Sequence, residues 1–544
     1  MTSADGLPPT PAEAGVHLPT GVETSLSRPE IQRRAVSGAL WTAIHATTSV
    51  PVAFAANAVV ARLLGVASYG KLALLALALT LANQTSNAGV SDAVIQWGSA
   101  AEARGARSTA TALLRKSLGF HLIVQLPALL LTVLLLGRGH GAGVMLVLVT
   151  GVTLPVLMAS VSLSLTVENN TAAAAKVAML SNLLLQLTLV ALAASTRSAV
   201  WVWAGRTAAA GILLPLNLMI VDRRRWREVL APLFPRGLPA GFWRYALQTC
   251  ASGLVGMLVF SRSEIFFLSA LGSKNDVGLY ALAFGLAGQI TAPVDALLGP
   301  LMPAAAGVLA TAPGATARAV GRALRGSAVI AGMILAAVVP SLSVLIPSIY
   351  GSGFARAALV FIPMAALSCL QSCLNPLMAF ANARRRSRFI LKLNIAALVV
   401  DGVTAVVAIP RMGVWGAVVA NLAGQLVVLA ALAIAEASAL ALSVRLLLND
   451  AGTWFFGLLA AGFSLLAVSW AEVSVLKAAL GFSVGVFTFI LLLRLSRTGL
   501  TANDWSALNA GSPRFLSGPF RLLRVVLGTA RRPDKSLVIS QMRT

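Results

Sequence analysis

The chain reads as an all-α polytopic membrane protein, and three observations carry that reading. Hydrophobic residues make up 58% of the 544, charged residues 11%, and mean hydropathy is +0.84, well outside the range of a soluble domain. Apolar windows that supply the roughly 20 residues a helix needs to cross the hydrocarbon recur about 14 times. Basic residues alternate between the inter-span loops, about 32 of the 42 on one set and about 8 on the other, so the positive-inside rule places both termini in the cytoplasm.

In order, six spans are expected near 39–61, 71–93, 117–137, 143–166, 177–195 and 199–221, and six more near 246–271, 277–303, 328–349, 357–380, 389–409 and 413–437. Two further spans are expected near 453–471 and 475–495. The chain then divides into a disordered N-terminus (1–35), an N-lobe (36–221), a basic cytoplasmic linker (222–245), a C-lobe (246–440), two extra spans (441–495) and a basic tail (496–544). Residues 1–27 are rich in Pro, Thr and Ala and lack the short apolar core and cleavage site of a signal peptide. The tail stretch PRFLSGPFRLLRVVLGTARR mixes Phe515, Leu516, Phe520, Leu523 and Val526 with Arg514, Arg521 and Arg524. It fits an interfacial helix or an unstructured segment equally well.

The net charge of +24 lies in short loops between spans, which suits anionic headgroups and not a nucleic acid. Enzyme-like motifs fail on context. GVASYGKL, from Gly65, has Leu72 where a phosphate-binding loop needs Ser or Thr, and is expected to be a tight turn. GFSVG, Gly481 to Gly485, lies inside an apolar span, where the glycine spacing suits helix packing better than a serine nucleophile. Cys369 and Cys373 stand one helical turn apart, but the four histidines are scattered, so no metal or cofactor is expected.

A repeat gives the organisation. LLGVASYGKLALLALALT and ALGSKNDVGLYALAFGLAGQ each end a span on Leu-Gly, turn through a second Gly and open a new span, with Gly65 and Gly70 matching Gly272 and Gly278. Both turns follow a span that starts in the cytoplasm, so the six-span units are parallel repeats, a symmetry typical of alternating-access transporters.

The runs VVARLLGVASYGKLAL, NAGVSDAVIQ, VGLYALAFGLAGQITAPVDALLGPLMPAAA and IPRMGVWGAVVANLAGQLV, spread over residues 36–440, resemble landmarks of the oligosaccharide flippase (polysaccharide exporter) family. That family lies within the multidrug, oligosaccharidyl-lipid and polysaccharide exporter superfamily. The resemblance implies two six-helix lobes around a central cavity and the flipping of an undecaprenyl-diphosphate-linked glycan between leaflets. Lipid II flippases carry arginine and acidic residues in their first span; here that span has neither and offers His45, Pro51 and Asn57 in their place. Lipid II flipping, small-molecule export and a scaffold for envelope glycan-synthesis enzymes stand as alternatives.

Charged residues inside spans by default mark a substrate or ion path. In GMLVFSRSEIFFLSALG, Arg262 sits about 13 Å inward of Leu271 at the α-helical rise, and Glu264, two residues on, points to roughly the opposite face. The resemblance implies a polar role for a carboxylate near Glu264. Arg206, in WVWAGRTAA, lies about 7–8 Å below Trp201. Arg262 and Arg206 are the expected diphosphate ligands, since guanidinium forks match phosphate oxygens, with a snorkelling Arg206 as the other reading. Glu264, Asp295 and Asp401 are the ion-coupling candidates, or else hydrogen-bonded helix contacts. Asp92 and Glu436 fall near cytoplasmic ends and are expected to be wet, and Pro51, Pro127, Pro155, Pro215, Pro293, Pro340 and Pro363 interrupt spans.

Overall fold

The computed structural model describes residues 48–168, 171–212, 227–258, 263–298, 316–384, 386–439, 452–470, 472–496 and 498–500. Arg262, His45, Pro215, residues 1–27 and the basic tail lie outside the described residues. Among those described the chain is helical: α1 (Thr48–Leu64), α2 (Val66–Asn87), α3 (Val90–Ala103), α4 (Arg107–Leu136), α5 (Ala142–Val167), α6 (Thr171–Thr196), α7 (Ala199–Ile212) and α8 (Phe242–Met257). There follow α9 (Ser263–Leu271), α10 (Lys274–Leu298), α11 (Thr316–Tyr350), α12 (Ala355–Ala383), α13 (Ser387–Met412), α14 (Val414–Ala439), α15 (Thr453–Val468) and α16 (Ser474–Ser496). Nine helices among the described residues are long and apolar enough to cross a membrane, and Thr48–Leu64 and Thr453–Val468 are shorter apolar helices. The polytopic helical fold is thereby established, while the count of 14 spans is not reached by the described residues.

Several helices outrun the apolar windows. α4 starts at Arg107 and α11 at Thr316, about ten residues before the expected spans, because a hydropathy window detects only the part of a helix that lies in hydrocarbon. The stretch expected as a tight turn from Gly65 is a turn only at Gly65 itself, in the left-handed region at φ 75°; Val66 onward is already α2.

The chain divides into two compact units. The first holds the residues up to Leu64 together with Leu72–Val255. Its core joins Leu129, Val133, Leu148, Val152, Val156, Val202 and Trp203, from α4, α5 and α7. The α5–α7 contact is a backbone contact: a Cβ on Gly151 would fall 2.6 Å from Ala208 N and 2.7 Å from Thr207 C, a close approach that only glycine allows. The described part of the expected linker docks on α4. Leu233 N–H donates to Arg115 O at 3.0 Å, Arg115 Nε donates to Ala231 O at 2.8 Å, and Lys116 Nζ donates to Gly237 O at 2.9 Å.

The second unit holds Gly65–Lys71 and the residues from Gly256 on. Within it the matched glycines of the two turns meet. A Cβ on Gly70 would lie 2.7 Å from Gly278 N, and one on Gly278 would lie 2.1 Å from Val66 O. α15 and α16 pack on α11 the same way, with a Gly485 Cβ only 2.0 Å from Ala336 O and Gly332 Cα 2.6 Å from a Cβ on Gly457. The GFSVG glycines are therefore packing residues. Glu436, expected to be wet, is fully buried. It accepts from Arg384 Nη2 and, at 3.5 Å, from Arg386 Nη1, because the basic turn after α12 folds back over the end of α14.

Among the described residues, each unit carries a π-helical turn inside a long span. His121–Gln125 interrupts α4 and Ile334–Val338 interrupts α11. Pro127 follows the first and Pro340 the second, in each case six residues after the π turn begins. Proline removes one backbone donor and crowds the preceding turn, which favours the wider winding.

Candidate functional site

The first unit encloses a cavity of about 460 Å³. Four helix faces line it, and each face follows from helical spacing. From α2 come Ala76, Leu79, Thr80, Asn83 and Asn87; from α4, Gln125 and Leu129. α5 supplies the stripe from Gly151 to Ser162, and α7 supplies Trp203, Arg206 and Thr207. Arg206 therefore stands in a cavity wall, set there by the Gly151 contact that fixes α7 against α5. Among the described residues of this lining it is the one ionisable side chain.

The uncharged polar groups are ordered among themselves. Gln125 Nε2 donates to Asn83 Oδ1 at 2.8 Å, linking α4 to α2. Asn87 Nδ2 donates to Ser91 Oγ at 2.8 Å, and Thr207 Oγ1 donates to the Trp203 carbonyl at 3.0 Å. Trp203 is buried, and its indole N–H has no hydrogen-bond partner. His121, the first residue of the π turn that ends at Gln125, is fully buried and meets Phe120 edge-on.

A second polar cluster lies inside the second unit, where α9 meets α13 and α14. Ser263 Oγ donates to Asp401 Oδ2 at 2.7 Å, Asn421 Nδ2 donates to Glu264 Oε1 at 2.6 Å, and Gln425 Nε2 donates to Asn421 Oδ1 at 2.9 Å. All five side chains are buried. Tyr280 joins Asn421 as a hydrogen-bonding neighbour of Glu264, and the two carboxyl groups interact with each other. Gly424 makes room for this arrangement, since a Cβ there would lie 2.9 Å from Asp401 Cβ. Asp295 stands apart, accepting from Ser372 Oγ at 3.1 Å and from Asn375 Nδ2 at 3.0 Å across the α10–α12 contact.

The structure thus joins Glu264 to Asp401, keeps Asp295 in a separate helix contact and seats Arg206 in a cavity. Arg262, two residues before Glu264, lies outside the described residues. Sequence reading did not single out Asn83, Gln125, Trp203, Asn421 or Gln425. Their one signal is spacing: Thr80, Asn83 and Asn87 form a polar stripe at helical period within an apolar span.

The description "Polysaccharide biosynthesis protein" belongs to the family whose profile matches residues 35–305. No curated protein matches the chain in sequence. Among solved structures, the lipid II flippase MurJ in an inward closed conformation is 11% identical, with a TM-score of 0.58 over 84% of this chain and 99% of that one. An inward-facing multidrug resistance MATE family transporter of the MOP superfamily is 16% identical, with a TM-score of 0.55 over 73% of this chain and 98% of that one. An outward-facing MATE family transporter gives 16% identity and a TM-score of 0.51 over 77% and 100%. The chain has the fold of these transporters, and the expected family resemblance is borne out.

Proposed function

We propose that this chain, matched over residues 35–305 to the polysaccharide biosynthesis protein family, is a flippase. It moves an undecaprenyl-diphosphate-linked oligosaccharide or polysaccharide precursor across the cytoplasmic membrane by alternating access. The observation that carries the reading is the first-unit cavity, in whose described lining Arg206 stands among amides and hydroxyls. A guanidinium fork pairs with phosphate oxygens bidentately. The polyprenyl chain stays in lipid. Arg262 is kept as a second phosphate ligand.

Glu264 and Asp401 supply the coupling step in this reading. Two adjacent carboxyls in a buried site take up a proton or a small cation to balance like charge. Asp295, tied to Ser372 and Asn375, is the weaker of the three coupling candidates. Both termini face the cytoplasm, where the basic loops and tail meet anionic lipids and are open to envelope glycan-synthesis enzymes.

The test is translocation of a labelled undecaprenyl-diphosphate oligosaccharide in proteoliposomes. Hydrogen bonds to charged groups contribute about 1.5–3 kcal/mol each, so Arg206→Ala is expected to weaken lipid binding by about 10- to 100-fold. Folded wild-type protein that moves no lipid-linked glycan overturns the flippase. Unchanged binding by Arg206→Ala overturns the site.

A further inference from the structure

We infer that the connector at residues 231–241 of the first unit is a phospholipid site on the cytoplasmic leaflet, with Leu233 and Phe234 set among acyl chains and Arg236 and Lys116 holding the phosphate of an anionic glycerophospholipid. This goes beyond the flippase reading and does not depend on it.

The connector has two faces. Inward, Val229 is fully buried and Leu238 packs beside it in the cluster that joins Ala93, Leu114 and Phe242. Outward, Leu233 is 36% exposed and Phe234 60%, although residues 222–245 read as a basic cytoplasmic loop. Their level in the molecule accounts for this. Hydrogen bonds to Arg115 and Lys116 hold the connector across α4, and a Cβ on Gly119 would fall 2.0 Å from Leu233 O. The expected span of α4 begins near residue 117, so the crossing lies where that helix enters the hydrocarbon. The connector leads into α8, whose expected span begins near residue 246. Trp243 and Tyr245, both exposed, stand at that entry as interfacial aromatics do. Apolar side chains exposed at this level meet lipid.

The charges complement a phosphate. Arg236 places its guanidinium carbon 4.8 Å from the centroid of the Phe234 ring, which fixes a cation over the residue that enters the acyl layer. Gly237 turns the chain in the left-handed region at φ 62°, and its carbonyl accepts from Lys116 Nζ at 2.9 Å, bringing a second cation next to Arg236. Across residues 115–120 and 227–245 the cations are Arg115, Lys116, Arg227, Arg236 and Arg244, with Glu228 as the counter-charge. A zwitterionic headgroup would bring its ammonium into this positive field, whereas an anionic one brings only favourable charge. The chain's own tail, residues 496–544, is basic as well, and like charge disfavours it as the occupant.

The experiment uses the full-length chain in nanodiscs with a nitrobenzoxadiazole label on Leu233→Cys; the native Cys250, Cys369 and Cys373 are buried. The quenchers are phosphatidylglycerol and phosphatidylcholine, each with a doxyl group on its acyl chain, and aqueous iodide. The label is expected to be quenched by the doxyl lipids and not by iodide, and by phosphatidylglycerol at a lower mole fraction than by phosphatidylcholine. Removing one cation near the surface is expected to cut that preference about fivefold, in Arg236→Gln on the connector and in Lys116→Gln on α4. Quenching by iodide in place of the lipids, or protection from all three by a covering protein segment, overturns the interfacial position. Equal quenching by the two lipids, or a preference that both variants keep in full, overturns the phosphate site. The assay contains no lipid-linked glycan, so each of these outcomes leaves the flippase reading untouched.

Discussion

Gly151→Ala tests how the cavity wall is held in place. The added Cβ would lie 2.6 Å from Ala208 N, 2.7 Å from Thr207 C and 2.8 Å from Ala208 Cα. These are backbone atoms of α7 and have no rotamer to escape into. Restoring van der Waals contact near 3.4–3.5 Å requires α7 to move out by about 0.8 Å, carrying Trp203, Arg206 and Thr207 with it. Overpacking of this kind costs about 1–3 kcal/mol. The matched control is Gly143→Ala on the same helix, where the nearest neighbour is a ring carbon of Trp201 at 3.5 Å; it is expected to leave stability level or raise it by up to about 1 kcal/mol. Unfolding in graded SDS, followed by circular dichroism, ranks the two, with Gly151→Ala expected to unfold at lower SDS and to bind the lipid-linked glycan more weakly. If Gly151→Ala unfolds with Gly143→Ala and binds like wild type, the close α5–α7 contact does not position the site.

The same comparison applies to the extra C-terminal helices. Gly485→Ala meets Ala336 O at 2.0 Å and is expected to loosen α16 from α11, whereas a Cβ on Gly462 meets nothing within 4 Å and Gly462→Ala is expected to be neutral, both read by SDS midpoint. Glu436→Gln leaves Arg384, 16% exposed, facing a neutral partner, and breaking a buried pair costs about 3–5 kcal/mol; Arg384→Met combined with Glu436→Leu is expected to recover most of it, and a single variant as stable as wild type removes the pair from the fold's support. Glu264→Gln and Asp401→Asn are expected to keep lipid binding but to make flipping insensitive to an imposed proton or sodium gradient, and a gradient response equal to wild type would transfer coupling to another group.

The polytopic helical fold was legible because membrane insertion imposes it residue by residue: long apolar windows and alternating basic loops are requirements of the bilayer. The charged candidates were legible for the same reason, since Arg206, Glu264 and Asp401 stand out against hydrocarbon. Asn83, Gln125 and Trp203 were not, because an amide or an indole inside a span is unremarkable until helix packing shows which face it lines. Asn421 and Gln425 were hidden likewise, acquiring meaning only once α14 places them beside Glu264. Glu436 was misjudged because its position near a helix end says nothing of the arginines that fold back over it. The glycines split: Gly481 and Gly485 announced helix packing by their spacing, while Gly151, eight residues from Gly143 in the same helix, did not.

The π turns of α4 and α11 act as phase shifters. A π turn takes up one residue more than an α-turn, so a helical wheel drawn through His121–Gln125 slips by about 100°. On one side of the slip, Ala110, Leu114 and Phe120 pack into one apolar cluster; on the other, Leu129 and Val133 belong to a different one. One span thereby serves two cores whose directions a regular helix could not both meet. Deleting a single residue between His121 and Gln125 would restore a regular helix and turn one half of the span against the other, exchanging the face that borders the cavity for one that does not. Such a deletion leaves composition and hydropathy almost unchanged, so a span that looks tolerant by every bulk measure is rigid in its residue count.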